Sequence, residues 1–244
     1  MKLNLLRPVF IFLMFLPVCS LSTQAAAITY DLKTDWSDSQ NPNGCWSYNY
    51  GDTPLTPSVH PWGPWGFQGP SDQYAWAKGP GVNSSDPLHT PAWLKLEYTM
   101  AEGCDAAIGD VLVHGTSPGI SWTSEPSNVT WTSNLTCVIN ISGGVWYVAE
   151  FLNRSMDWAL YVKGNLVKYG NVHHGDPYSR DNPFLFVNGL GPGPMSFRVV
   201  PGDAVRLYLT KAPGYYAAST VGVNLSINAV PAPTAGLDTL LLLE

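Results

Sequence analysis

Charge is scarce in this chain. Of 244 residues, 12 are Lys or Arg and 18 are Asp or Glu, so 12% are charged, against about a quarter in typical soluble domains. That poverty excludes a coiled coil, a disordered acidic tail and a helical bundle, which all need many charged helix formers. Positive charge is the scarcer sign. A formal net charge of −6 and a pI near 5.2 leave no clustered Lys/Arg surface for phosphates, so nucleic acid is not an expected partner. Long hydrophobic runs are missing too: Val9 to Val18 is only ten residues, about half of what a bilayer-spanning helix requires. No membrane span is expected.

The short run has a different meaning. Lys2 and Arg7 precede it and Ala25-Ala26-Ala27 follows it, so residues 1–27 read as a secretory signal with a small-x-small cleavage site. A secreted protein, extracellular or at the cell surface, is the expectation. Removing Lys2 and Arg7 with the leader leaves 10 basic against 18 acidic residues, a net of −8. Of the 4 cysteines, Cys45, Cys104 and Cys137 would remain. Their spacing fits no zinc template, and no pairing can be read from it.

What the chain has in abundance is 23 Gly, 21 Pro, 10 Trp and 12 Tyr. The patterning is period two. Val221, Val223, Leu225, Ile227 and Ala229 alternate with small or polar residues, and Leu135, Cys137, Ile139 and Ile141 form a similar face. Phe197 and Val199, the turn Pro201-Gly202-Asp203, then Val205, Leu207 and Leu209 predict a hairpin. Further strands are expected at 44–50, 73–78, 92–98, 110–114, 127–132, 145–152, 158–163 and 166–172, and no segment shows a helical period with caps. About ten short strands punctuated by Gly/Pro turns predict an all-β protein, a single-domain β-sandwich of jelly-roll type over residues 28–229.

Several chemistry-bearing candidates are weak. Gly115-Thr116-Ser117-Pro118-Gly119 matches the G-x-S-x-G elbow, but extended sequence follows it, and Pro118 has no N–H for an oxyanion hole. His173, His174 and Asp176 lack metal-ligand spacing, so no metal residues are assigned. No cofactor is expected. A structural Ca²⁺ in the loop Glu102 to Asp110 is the one cation left open, because hard cations take carboxylates and carbonyls from loops. Glu97 and Glu150 are the best carboxylate pair for glycoside hydrolysis, each sharing a strand face with a Trp.

The aromatic load is the stronger signal, because sugar rings stack their C–H faces on Trp and Tyr. Residues 51–91 form a Pro-rich stretch carrying Trp62, Trp65 and Trp76. With Tyr215 and Tyr216 these sit in predicted loops or at strand ends, and the five are the expected ligand-binding residues. Trp46, Trp122, Trp131, Trp146 and Trp158 lie in predicted strands and are expected in the core.

Asn41-Pro42-Asn43-Gly44-Cys45-Trp46-Ser47-Tyr48 resembles the N-P-N-G-x-W-S-Y-G opening of secreted bacterial proteins of the PEP-CTERM (exosortase-sorted) kind, with Asn49 in place of the last Gly. Trp122-Thr123 with Pro126 is similar to a W-T-x-P segment of that group. Trp158 to Lys168 resembles its paired strands about a turn, here Gly164-Asn165. Val230-Pro231-Ala232-Pro233 resembles the V-P-E-P sorting signal, with Ala232 in place of Glu, so residues 230–244 are expected to be a degenerate or truncated sorting tail. The resemblance implies secretion and a β-sandwich similar to carbohydrate-binding modules, and it brings no catalytic residues. The expected function is therefore a secreted, non-catalytic β-sandwich that binds carbohydrate or extracellular polysaccharide at the cell surface. The alternatives are a jelly-roll glycoside hydrolase using Glu97 and Glu150, or a purely structural matrix protein.

Overall fold

Period-two sequence with turn residues at its breaks folds into paired strands and almost nothing else. A computed structural model describes residues 26–60, 72–78, 90–100, 102–116 and 125–231. Among these it forms fifteen strands, numbered in chain order, and one 3-10 turn at Phe186–Asn188. One sheet runs β12 (Phe184–Leu185), β9 (Cys137–Tyr147), β15 (Thr220–Pro231), β7 (Val111–His114), β6 (Ala92–Lys95), β5 (Gln73–Ala77), β4 (Thr56–His60). To it β1 (Ile28–Asp31) adds along β15, and β13 (Ser196–Val199) along β9. The other sheet runs β11 (Asn165–His173), β10 (Ser155–Val162), β14 (Ala204–Lys211), β8 (Ser127–Thr132), β2 (Trp46–Tyr50), β3 (Thr53–Pro54). Every strand pairing is antiparallel. The chain crosses repeatedly between the sheets, giving the expected all-β sandwich of jelly-roll type.

The core lies between the sheets. Trp46, Trp93, Trp131 and Trp158 are buried there with Tyr48, Tyr147 and the inward residues of β10, β14 and β15. Four of the five tryptophans expected in the core are buried, Trp146 among them; Trp122 lies outside the described residues. A second apolar cluster (Ala75, Leu94, Leu96, Met100, Leu112, Trp146, Val148) covers the other face of β5, β6 and β7. Those strands are buried on both faces, so they read as continuous apolar runs such as Val111-Leu112-Val113. Strands β10 and β14, by contrast, bury alternate residues only. Their other face is open.

The N-P-N-G-x-W-S-Y segment is a structural plug. Asn41 Nδ2 donates to the carbonyls of Tyr48 (2.8 Å) and Leu55 (2.9 Å), and its Oδ1 accepts from the Tyr48 N–H. Gly44 takes a φ of +56°, which suits glycine, and lets Asn43 bridge back to Trp46. The motif thereby feeds β2 into its sheet with the Trp46 ring inward.

Three expectations change. The faces expected at 135–141 and 145–152 belong to one strand, β9, which passes through Ser142-Gly143-Gly144. A Cβ on Gly143 would lie 2.1 Å from the Asn224 carbonyl oxygen, so only glycine allows that close approach. The β10–β11 turn is Lys163-Gly164 rather than Gly164-Asn165. Both turn residues have positive φ, 55° and 76°, and Asn165 already pairs with Val162, so the loop follows the twist of the flanking strands. Lastly, Val230 and Pro231, expected in the tail, end β15 opposite Val138 and Cys137.

Candidate functional site

The open face of the second sheet carries a groove of about 970 Å³. Strand register builds it. In one row Tyr169 of β11, Ala159 of β10, Tyr208 of β14, Asn128 of β8 and Asn49 of β2 are cross-strand neighbours. In the next row stand Leu166, Tyr161, Arg206, Thr130 and Ser47. Five strands at about 4.8 Å spacing span about 19 Å. Ala159, with the shortest side chain of its row, is the low point of the floor, with Tyr208 and Tyr169 to either side.

The two floor tyrosines have fixed attitudes. Tyr161 and Tyr208 meet edge to face, with centroids 5.3 Å apart and planes at 86°. The Tyr208 hydroxyl accepts from Arg206 Nη1 at 2.8 Å. Arg206 itself is clamped: Nη1 also donates to Asp52 Oδ1 (2.6 Å), and Nε donates to Thr130 Oγ1 (3.0 Å). Burial acts to lower the Arg206 pKa, but the bonds to Tyr208 and Asp52 outweigh it and hold the guanidinium above its ordinary value. Beneath it Thr130 donates to Asn128, which also accepts from Asn49, and Asn128 Nδ2 donates to the Gly51 carbonyl at 2.7 Å. This network folds the β2–β3 turn over the end of the groove, where Gly51, Asp52, Glu125 and Pro126 form a wall. At the other side Leu166, Tyr169 and Leu190 form a largely exposed apolar wall. Asp157 and Asn171, bonded at 2.7 Å, complete the polar lining. The arrangement offers aromatic platforms ringed by hydroxyl, amide and carboxylate groups.

The expected ligand-binding residues fare differently. Trp62 and Trp65 lie outside the described residues. Trp76 is a correction: it is 3% exposed in the core, and its indole N–H donates to the Ser37 carbonyl at 2.8 Å, so no ring face is left for a ligand. It faces inward because it sits within β5, opposite Trp93 of β6, rather than at a strand end. Tyr215 and Tyr216 lie in the turn after β14, whose Thr210 lines the groove; Tyr216 is 84% exposed. Neither is a lining residue.

Glu97 and Glu150 share no partner among the described residues. Glu97 is exposed beyond the end of β6, with its N–H on Gln73 Oε1, and burial with nearby Asp38 raises its pKa. Glu150 lies beyond the end of β9, 3.3 Å from His174 Nδ1. Neither lines the groove. In the loop considered for Ca²⁺, Asp110 is taken by Arg180 Nε (2.6 Å), Lys33 Nζ (3.2 Å) and the Ala107 N–H, while Asp105 accepts from the Arg180 N–H. Two cations already partner Asp110. No group of three or more His, Cys, Asp or Glu among the described residues converges on a metal position, and Cys45, Cys104 and Cys137 are free thiols. No helix among the described residues is long and apolar enough to cross a membrane.

Sequence reasoning missed Tyr161, Tyr169, Tyr208 and Arg206. For Tyr161, Tyr208 and Arg206 the signal was present, since each is a large or polar residue at an alternate position of a strand whose other positions are core; Tyr169 lies in β11, which buries only Val167 and Val172 and shows no such alternation.

A scan against protein-family models finds no match, and neither does a search of curated proteins. Among solved structures the chain is similar to the CBM22-1 xylan-binding domain of Xyn10C from Paenibacillus barcinonensis, at 12% identity and a TM-score of 0.32, over 84% of this chain and 94% of that one. It is also similar to the CBM22-1–CBM22-2 tandem domain of the same protein, at 12% identity and a TM-score of 0.34, over 87% of this chain and 47% of that one. The chain thus spans about half of the tandem. The two-sheet architecture itself rests on the strand pairings.

Proposed function

We propose that this protein is a secreted, non-catalytic β-sandwich that binds carbohydrate in the groove of its second sheet. One observation carries the reading: Tyr161, Tyr169 and Tyr208 stand on an open sheet face beside Arg206, Asp157 and Asn171, with core tryptophans packed beneath. The exposed Tyr169 ring and the partly open Tyr161 and Tyr208 rings supply stacking surface for the apolar faces of sugars, and the clamped polar groups supply hydrogen bonds without losing side-chain entropy on binding. The N-terminal leader and the resemblance to PEP-CTERM-type proteins support action outside the cell, on polysaccharide at or near the cell surface. Tyr216, exposed in the turn after β14, extends the contact in this reading, and Trp62 and Trp65 are kept as proposed ligand-binding residues on the strength of their sequence alone.

The test is retention of the purified chain on a panel of immobilised polysaccharides, with released reducing sugar scored in the same samples. Retention without release is the expected result. Release that Glu97→Gln or Glu150→Gln abolishes would establish the hydrolase instead. Neither retention nor release, from chain with an intact near-ultraviolet circular dichroism spectrum, would leave a structural matrix protein.

A further inference from the structure

We infer that the groove selects uncharged polysaccharide and turns away carboxylated or sulfated polymers; this deepens the proposed function and rests on the groove being the glycan site. Among the lining residues the charged groups are Asp52, Glu125 and Asp157 against Arg206, a net of −2. Arg206 is already paired: Asp52 sits on its Nη1 at 2.6 Å, and Thr130 and Tyr208 accept two more of its N–H donors, so an anion would meet a guanidinium whose charge is already matched. An incoming carboxylate would have to displace Asp52 or lie beside it.

No other Lys or Arg lines the groove. Lys163 pairs with Asp203 (3.2 Å), Lys168 donates to the Gly191 carbonyl (2.9 Å), and Lys211 donates to the Tyr215 carbonyl. Lys78 lies over the Tyr50 ring, 4.6 Å from its centroid, and is not a lining residue. The segments 61–71, 79–89 and 117–124, which lie outside the described residues, contain no Lys or Arg at all. A polymer with an acidic group on each sugar therefore brings like charges within one Debye length, about 8–10 Å, of a lining whose net charge is −2. An uncharged polymer meets the same tyrosines and hydrogen-bonding groups without that repulsion.

Matched polymers with one backbone and different charge test this directly: hydroxyethylcellulose with carboxymethylcellulose, arabinoxylan with glucuronoxylan, and methyl-esterified with de-esterified homogalacturonan. Affinity electrophoresis of the purified chain should retain at least one neutral member and its acidic counterpart at least tenfold more weakly. Salt between about 0.05 and 0.5 M should narrow that gap by screening while leaving the neutral polymer's retention unchanged. The double variant Glu125→Gln, Asp157→Asn should recover most of the acidic polymer's retention. Glu125→Gln alone, at the end wall, should recover part of it and serves if the double variant does not fold. Acidic polymer retained as tightly as its neutral partner, or discrimination unchanged in the variants, overturns this inference and leaves carbohydrate binding standing. No retention of any polymer by folded chain overturns the carbohydrate reading and this inference with it.

Discussion

Tyr208 illustrates how much one register position decides. Leu207 and Leu209 on either side are fully buried, while Tyr208 lies partly open on the groove floor with Arg206 on its hydroxyl. Replacing it with Ala should weaken polysaccharide binding about tenfold, equivalent to about 1.4 kcal/mol. Tyr208→Phe keeps the ring and should cost no more than about threefold; titration calorimetry measures both. Trp76 makes the opposite point: a large apolar ring inside a doubly buried strand goes to the core, whatever its chemistry would suit. At the same scale His114 sets a pH limit. Full burial pushes its pKa down to about 4, with the nearby Arg154 acting in the same direction against a hydrogen bond to the Gly115 carbonyl. The unfolded ring protonates near pH 6.5, so its neutral form stabilises the fold fully above that pH. The contribution is lost as pH falls from about 6.5 to about 4, by about 3 kcal/mol at most. Urea midpoints should fall across that window, and His114→Gln should flatten the fall. Asp31, which burial raises but bonds from Ser226 and Thr34 hold below its ordinary value, adds its own loss at lower pH.

At the level of elements, the two sheets differ in what alternation means. In β10, β14 and β15 it marks one buried face, and the sequence shows it plainly. In β5, β6 and β7 both faces are covered, and period two disappears into apolar runs. Close strand contacts also hide in glycine. A Cβ on Gly222 of β15 would fall 2.1 Å from the Trp146 ring of β9, its cross-strand neighbour, whose indole N–H donates to the Asp105 carbonyl at 2.8 Å. Gly222→Ala should therefore destabilise the protein by about 1–3 kcal/mol, read as a lower thermal midpoint. Affinity of the folded variant should be unchanged, because Gly222 and Trp146 belong to the sheet that does not carry the groove.

Across the whole molecule, the groove joins the β2–β3 turn at one side to β11 and the Leu190 segment at the other. A ligand seated there binds the folded state alone. At about one hundred times its Kd it should add about 2.7 kcal/mol of stability and raise the thermal midpoint by about 5–10 °C. Differential scanning fluorimetry with the retained polysaccharide measures this, and a flat response would mean that the polysaccharide does not bind the folded state in preference to the unfolded one. The class of fold was legible without coordinates, because alternation and turn residues act locally: the apolar stripe of β15, the Pro201-Gly202-Asp203 hairpin and the burial of Trp46, Trp131, Trp146 and Trp158 all follow from neighbouring residues. The site was not legible in the same way. Tyr161, Tyr169, Tyr208, Arg206 and Asp52 come from four segments, and only long-range register brings them onto one face. Local sequence determined that strands would form and which side of each would be apolar. The tertiary structure alone decided which polar sides meet, since a groove is a property of neighbouring strands and of the turn that closes its end.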